Sequence, residues 1–333
     1  MGMSESTAAG ATIGEVSERE ALRGIFPRLP GSSATLVGPG DDAAVLAAPD
    51  GRYVVTTDMM VHGPDFRLAW SSPEDLGWKA AATNLSDVAA MGAVPTALVV
   101  AIAAPADTPV ADLEAIADGF RLACEALAPG CGVVGGDLSV SETMTFAVTA
   151  FGDLEGRAPV LRSGARPGDV VAVSGRLGAA AAGLRLLFDE AVDASGVPDR
   201  DRFAAVVAAH PDAVRAQLRP EPPIADGPRA ADAGATAMLD LSDGLALDAR
   251  RVAEASGVAI DLDPGLLGDD PRAALTGGED HGLFAAFPAG AALPGGFRRI
   301  GAVRDGSGLL VAGRPFDERG GWDPYLEWDG AAG

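Results

Sequence analysis

One alanine-rich helix that carries a carboxylate constrains this chain more than any other feature of its sequence. The pattern over residues 73–91 predicts a helix, because Ser72 can cap its start and Gly92 would end it. Asn84 and Asp87 are three residues apart, so both project from one side of an otherwise apolar helix. Such a carboxylate either faces water on the outer side or meets a cation or donor inside the protein, because burying it alone is costly.

Length and composition indicate a folded chain with room for two domains. It has 333 residues, of which 48% are hydrophobic and 22% charged. No apolar run in the sequence is long enough to span a membrane, and the first residues lack the basic-then-apolar pattern of a signal peptide. We therefore expect a cytoplasmic protein that does not enter a membrane.

The charged residues exclude several classes of partner and of catalytic site. A formal net charge of −22 disfavours binding to nucleic acid or to an anionic membrane surface. Lys79 is the sole lysine, so the sequence has neither a phosphate-binding loop with its lysine nor a protein-kinase lysine. Cys124 and Cys131 match no zinc spacing and predict ordinary buried thiols. Any phosphate chemistry in this chain needs another source of positive charge, such as divalent cations.

The order of elements predicts two domains of mixed α and β structure. We expect residues 1–13 to be disordered, 14–151 to form an N-terminal α+β domain, 152–168 to be a linker and 169–333 to form a C-terminal α/β domain. In the N-terminal domain a mixed sheet should carry its helices on one face. Its predicted strands are 43–47, 52–58, 95–103, 131–135 and 143–151, with helices at 15–26, 73–91 and 108–127 and a turn at 135–137.

The C-terminal half repeats the alternation of strands and helices. Predicted strands cover 170–174, 237–240, 258–262, 282–287, 298–303 and 309–311, and predicted helices cover 178–188, 204–218 and 245–255.

Acidic residues follow several of these elements and sit beside Gly, Ser or Thr. Each one alone has an ordinary explanation as a turn residue or helix cap. Together they offer oxygen ligands at strand ends and helix starts, where a scaffold holds ligands in place. Oxygen ligands without His or Cys favour Mg²⁺, Mn²⁺ or Ca²⁺, and Mg²⁺ needs few carboxylates because water and phosphate oxygens complete its shell. The residues concerned are Asp41, Asp42, Asp58, Asp87, Asp137, Asp240 and Asp243.

Seven motifs, in their order along the chain, resemble those of the thiamine-monophosphate kinase family. This family belongs to a superfamily with aminoimidazole ribonucleotide synthetase, selenophosphate synthetase and a hydrogenase maturation factor. The resemblance runs from about residue 14 to 326, and the motifs at 161–169, 240–245 and 277–280 point to the kinase branch. The remaining motifs are those at 40–45, 56–58, 84–93 and 135–137.

The resemblance implies phosphorylation of thiamine monophosphate by ATP to give thiamine diphosphate, with several Mg²⁺ ions. It also implies a homodimer whose N-terminal domains together close a β-barrel, with ATP between the two domains of a chain. The implied metal ligands are Asp42, Thr56, Thr57, Asp58, Asp87, Asp137, Asp240 and Asp243, of which Asp42, Asp58, Asp87, Asp137 and Asp243 act in catalysis through the metal. The implied ATP contacts are Gly136, Asp137, Arg162 and Ser242, and the implied substrate contacts are Asp65, Glu279 and Trp322.

Some positions leave alternatives open. Asp65 stands where the family commonly has His, and His62 could replace that contact after a shift of the loop. Trp322 could stack on a cationic ring or simply pack in the tail. Lys79 could reach a phosphate, although an ion pair at the surface or between domains is the expected arrangement. His281 is expected to be an ordinary loop histidine, where the family usually has an aromatic residue.

The implied reaction suits a chain without a catalytic lysine. A phosphate monoester is largely a dianion near neutral pH, so it can attack ATP directly without a general base. The obstacle is repulsion between two anions, which divalent ions relieve as the groups align. Two alternatives remain: another ATP-dependent member of the superfamily, such as a ligase-type synthetase, or a non-enzymatic acidic protein that binds cations as a scaffold.

Overall fold

The computed structural model describes residues 12, 15, 18–37 and 45–322. The predicted turn with Asp41 and Asp42 lies outside these residues. So does the tail predicted to be disordered, except for Thr12, which forms a β-bridge with Pro109. The described helices are α1 (Glu18–Ile25), α2 (Pro73–Ala90), α3 (Val110–Leu127), α4 (Ala179–Glu190), α5 (Arg200–Ala209), α6 (Pro211–Leu218), α7 (Asp226–Asp232), α8 (Leu245–Ser256) and α9 (Pro271–Thr276).

The strands form one small sheet and two larger ones. In chain order they are β1 (Thr35–Val37), β2 (Val45–Leu46), β3 (Val54–Val61), β4 (Val94–Ala104), β5 (Gly132–Val140), β6 (Thr145–Asp153), β7 (Val170–Ser174), β8 (Ala237–Leu241), β9 (Ala259–Leu262), β10 (Gly282–Phe287), β11 (Arg298–Arg304), β12 (Gly308–Val311) and β13 (Arg314–Pro315).

The first domain is built on a four-stranded sheet in the order β3–β6–β4–β5. All neighbours are antiparallel except β4 and β5, which are parallel. Helices α2 and α3 cover one face, where Phe120, Phe146 and Leu98 are fully buried. This confirms the predicted mixed sheet with helices on one face. The opposite face, which we call the open face, exposes Val55 and Met59 by 59% and 56%, and the described part of the chain closes no barrel over it.

The second domain is built on a seven-stranded sheet in the order β13–β12–β9–β11–β7–β10–β8. Only the β9–β12 pair is parallel. Strand β10 is buried along its whole length, because α8 packs on one face of the sheet while α7 and the end of α2 pack on the other. The two-domain α/β architecture predicted from the sequence is therefore confirmed. No described helix is long and apolar enough to cross a membrane.

Helix α2 belongs to both domains. It packs on α3 and the first sheet, and its final residue, Ala90, packs in a cluster with the second sheet. The Trp78 indole N–H donates to the Pro220 carbonyl oxygen at 2.8 Å, and Arg219 pairs with Glu74 at 2.7 Å, so α6 and the segment after it are tied to α2. The predicted helix is confirmed, and the rigid connection explains how its last turn can serve a site between the domains.

Several local predictions were wrong for identifiable reasons. The predicted turn at 135–137 is part of β5, because Gly136 lets the parallel partner strand come close: a Cβ there would lie 1.9 Å from the Val100 carbonyl oxygen. The helix predicted over 204–218 is two helices that meet at His210, because Pro211 disfavours a helical conformation of the residue before it. The short strand β1 and the short helices α7 and α9 were not predicted.

Two glycines allow α2 and α3 to pack at very short range. A Cβ at Gly77 would lie 2.0 Å from the Ile116 carbonyl oxygen, and a Cβ at Gly119 would lie 2.1 Å from the Glu74 carbonyl oxygen. Each glycine therefore accommodates the backbone of the other helix, and neither backbone can move without disturbing the core beneath.

We expect Gly119→Ala to lower the free energy of unfolding by about 1–3 kcal/mol, because the new methyl group must displace a helix backbone. Helix propensity alone would stabilise the variant by about 1 kcal/mol, so the sign of the change is diagnostic. Urea denaturation measures it. The matched control is Gly31→Ala, where a Cβ would meet nothing within 4 Å. Stability equal to that of the control would contradict the close packing.

Candidate functional site

The first part of the site lies where β3 faces the last turn of α2. Asp58 pairs across the sheet with Val148 and Thr56 pairs with Ala150, both buried beneath the helices. Side chains at paired positions share a face, so Thr56 and Asp58 lie on the α2 side. The Thr56 hydroxyl donates to Oδ2 of Asp87 at 3.0 Å.

The second domain adds a carboxylate to the same place. Asp240, near the end of β8, is buried, and its Oδ2 accepts from the Ser86 hydroxyl at 3.3 Å. Adjacent residues of α2 thus contact both domains: Ser86 donates to Asp240 of the second domain, and Asp87 accepts from Thr56 of the first. Thr56, Asp87 and Asp240, together with Arg162 of the connection between the sheets, line one cleft of about 620 Å³.

The electrostatics of this cleft are unfavourable without a cation. Burial, together with the negative charges of Asp240 and Asp58, raises the pKa of Asp87 from 3.8 to about 7. No three His, Cys, Asp or Glu side chains in the described residues are already arranged as a metal cage. Mg²⁺ is usually bound by one or two carboxylates, and water and phosphate oxygens complete its shell. The oxygen donors of this cleft therefore fit the implied ion.

Asp243 occupies a different environment from Asp240. Its Oδ2 lies 2.6 Å from Arg251, which also bonds to Oδ1 of Asp248 at 2.6 Å. Asp248 Oδ2 accepts from the N–H groups of Asp243 and Gly244 at 3.2 and 3.1 Å, and so shapes the turn after β8. Burial, with Asp240 and Asp243 nearby, raises the pKa of Asp248 to about 7. Asp248 was not predicted, although an acid one helical turn after Gly244 is the signal that the sequence offers.

Three of the predicted residues lie away from the cleft. Asp137 of β5 pairs with Ala101 of β4, Ala101 pairs with Ala147 of β6, and Ala147 pairs with Met59 of β3. Asp137 therefore lies on the same face as Met59, which is the open face. Strands β3 and β5 are the two edges of the sheet, three strand spacings of about 4.8 Å apart. Within one chain Asp137 therefore does not meet Asp58. Thr57 also lies on the open face, where its hydroxyl donates to the Val148 carbonyl oxygen, and Gly136 lies in β5 beside Asp137.

The three predicted substrate residues share a second cavity, of about 670 Å³. Asp65, Glu279 and Trp322 all line it. Asp65 Oδ2 accepts from the Val61 N–H at 2.7 Å, and burial raises the pKa of Asp65. His62 packs on Phe66 instead and does not line the cavity, so the loop presents Asp65. The further aromatic side chains of the lining are Phe66, Trp70 and Phe188.

The loop after α9 connects the two cavities. Glu279 lines the second cavity and forms an ion pair with Lys79 of α2, which confirms the ion pair expected between domains. Burial would raise the pKa of Glu279, but Lys79 and His281 outweigh it and hold the pKa below its usual value. The backbone amide of Glu279 donates to the carbonyl oxygen of Ser242, the predicted ATP contact, at 2.8 Å.

His281 is in a loop, as expected, but it is not an ordinary loop residue. It is only 3% exposed, and Nδ1 lies 3.5 Å from Oδ2 of Asp240. Burial would lower its pKa, but Asp240 and Glu279 outweigh burial and raise it. Because it adjoins an acid of the cleft and an acid of the second cavity, His281 lies at their junction. The sequence analysis missed this contact, since only the fold brings β8 beside the loop.

Comparisons with known proteins show which family and which folds this chain resembles. A family model described as AIR synthase related protein, N-terminal domain, matches residues 40–154. Among solved structures, AaThiL complexed with AMPPCP and TMP is 34% identical, with a TM-score of 0.69 over 81% of this chain and 86% of that one. The thiamine-monophosphate kinase of Stenotrophomonas maltophilia is 31% identical, with a TM-score of 0.74 over 90% and 96%.

A curated relative extends the match to nearly the whole chain. The thiamine-monophosphate kinase of Mycobacterium tuberculosis is 46% identical over 313 residues, which span 89% of this chain and 88% of that protein. Identity at this level and coverage establishes the relationship, and the chain belongs to the thiamine-monophosphate kinase family.

Proposed function

We propose that this chain phosphorylates thiamine monophosphate with ATP to give thiamine diphosphate, in a reaction that depends on several Mg²⁺ ions. Family membership and the neighbouring structure with AMPPCP and TMP support the two substrates. The observation that carries the proposal is the meeting of Asp87 and Asp240, from different domains, in a cleft that also contains Arg162. The second cavity, with Glu279 and Trp322, adjoins it through His281.

The acids of the cleft are the candidates for holding the ions. Asp58, Asp87 and Asp240, with the Thr56 hydroxyl, would hold Mg²⁺, and Asp42 and Asp243 are further candidates. Bound Mg²⁺ supplies positive charge between the phosphates of the two substrates. Arg162 would bind the phosphates of ATP, and the Ser242 carbonyl keeps the loop with Glu279 close to them.

The second cavity would bind and orient thiamine monophosphate. Glu279 and Trp322 suit its cationic ring, the first by charge and the second by the face of its indole. The phosphate would then point toward the junction at His281, from which it attacks the terminal phosphate of ATP in line. No protein group needs to accept a proton or a phosphoryl group, because the attacking oxygen is already ionised near neutral pH.

We also propose that the active form is a homodimer in which Asp137 acts on the other subunit. The open face carries exposed apolar side chains, including Val55 and Met59, and a second copy is the natural cover for such a face. Pairing two such sheets would bring the β5 edge of one subunit beside the β3 edge of the other. Asp137 of the partner subunit would then approach the cleft that its own chain cannot reach.

Incubation with ATP, Mg²⁺ and thiamine monophosphate should yield thiamine diphosphate and ADP. We expect Asp87→Asn to lower kcat by about 100-fold or more, because one charge that holds the metal is lost. The control is Asp107→Asn, an exposed acid outside both cavities. Full turnover by the Asp87 variant would contradict the proposed site. Stabilisation by Mg²⁺ without turnover would favour the scaffold alternative, and ADP release with another acceptor would favour a different member of the superfamily.

Without divalent ions, Asp87 should make stability depend on pH. Its pKa is about 7 in the fold and near 3.8 when unfolded, so the stability it contributes is complete below about pH 4 and is lost as the pH rises to 7. We expect Asp87→Asn to raise the free energy of unfolding of the metal-free protein. The increase should be larger at pH 8 than at pH 5 by about 1 kcal/mol or more. Urea unfolding in a chelator measures this. An equal change in the free energy of unfolding at both pH values would show that burial and the neighbouring acids do not disfavour the charged form of Asp87.

Mixing two inactive variants tests the shared site. Asp87→Asn and Asp137→Asn subunits, unfolded together and refolded, should recover about a quarter of wild-type turnover, because half of the dimers are mixed and each mixed dimer has one intact site. Each variant refolded alone is the control. If the mixture stays as inactive as the single variants, Asp137 acts within its own chain or the dimer does not form.

A further inference from the structure

Lys79 is the sole lysine of the chain, and it is buried at a position where an unpaired charge would be costly. It lies in the middle of α2, in a row of buried alanines, with a side chain only 6% exposed. Its ammonium group is paired with Oε2 of Glu279, from the other domain. Removing an ammonium group from water costs several kcal/mol, and a hydrophobic residue would often be equally stable there. The pair therefore points to a role beyond stability.

Glu279 is held at both ends. Its backbone has φ +70°, a conformation that residues other than glycine rarely adopt, and its amide donates to the Ser242 carbonyl oxygen at 2.8 Å. Its side chain is 34% exposed, and the open side is the wall of the 670 Å³ cavity. The carboxylate is thus available to a ligand while Lys79 fixes it from the protein side.

A second contact fixes the lysine itself. With the Gln217 amide oriented to satisfy its neighbours, its oxygen accepts from Nζ of Lys79 at 3.1 Å and its nitrogen donates to the Ala180 carbonyl oxygen at 3.0 Å. The ammonium group is therefore held between an acceptor from α6 and the carboxylate of Glu279. Only a small fraction of the lysine is left open to a ligand.

We propose that Lys79 is a positioning residue that fixes the Glu279 carboxylate at the cavity wall, where it meets the cationic ring of the substrate. This inference rests on the proposed function. In this role Lys79 affects how the ring of the substrate is recognised and does not contact the phosphate. The competing role, in which the ammonium group itself binds the phosphate, predicts a different pattern of losses.

Calorimetric titration of Lys79→Met with thiamine monophosphate and with thiamine separates the two roles. Positioning of Glu279 predicts that both ligands bind about tenfold or more weaker, by the same factor, because both carry the ring. Affinity for AMPPCP should be unchanged, and KM for thiamine monophosphate should rise more than kcat falls. A loss confined to thiamine monophosphate would assign Lys79 to the phosphate and overturn the proposal, as would no loss.

A double-mutant cycle supplies the independent test. In a Glu279→Gln background, Lys79→Met should cause no further loss of thiamine affinity, because the lysine acts only through that carboxylate. Losses that multiply would overturn the proposal. Lys79→Gln, which keeps a polar group toward Gln217, serves if Lys79→Met does not fold, as judged by thermal unfolding and AMPPCP binding. If the wild-type protein binds AMPPCP but neither thiamine ligand, the proposed function itself fails, which is a distinct result.

Discussion

Repulsion between carboxylates of two domains is the constraint on which this structure depends. Asp87 and Asp240 come together because α2 packs against both sheets, and the charge of Asp240 helps to raise the pKa of Asp87 even though His281 lies 3.5 Å from Asp240. An isolated protein gains nothing from this arrangement, since the charge of Asp240 makes Asp87 harder to ionise. The arrangement would become favourable with divalent ions bound, and under the proposed function the same ions would let two phosphate-bearing substrates approach each other.

The packing of α2 follows from that requirement. A helix that positions acids between two domains must not shift, and this one is held by glycine contacts with α3 and by polar contacts with α6 and the segment after it. Lys79 of the same helix pairs with Glu279 at the wall of the 670 Å³ cavity, while Asp87 lines the 620 Å³ cleft. One rigid element therefore sets the distance between the two cavities, so changes in its packing should alter both ligand sites together.

Much of this could be predicted from local sequence. The capping residues of α2, the β-branched run at the start of β3 and the apolar run of β10 each indicate their element. The strand β5 could not be predicted at its full length. Its Gly-Gly-Asp sequence is typical of a turn, and only pairing with β4 shows that Gly136 serves a close approach. The break before Pro211 was predictable, because proline disfavours a helical conformation of the residue before it.

The site was predictable in its residue types but not in its arrangement. The residues predicted as substrate contacts, Asp65, Glu279 and Trp322, line one cavity. Thr56, Asp87 and Asp240 from the predicted metal ligands, and Arg162 from the predicted ATP contacts, line another. A linear pattern carries no information on which face of a strand a residue occupies relative to distant elements. For that reason it could not show that Asp137 and Thr57 lie on the open face, or that His281 is buried against Asp240.

The central claim is that acids of both domains bind the same ions. Electron paramagnetic resonance can count tightly bound Mn²⁺ in the presence of AMPPCP for the wild type, Asp87→Asn, Asp240→Asn and the double variant. The account predicts that each single variant loses the same ion or ions and that the double variant loses no more. If the two single variants lose different ions and their losses add, or if neither loses any, the domains do not share a metal site and the account is wrong.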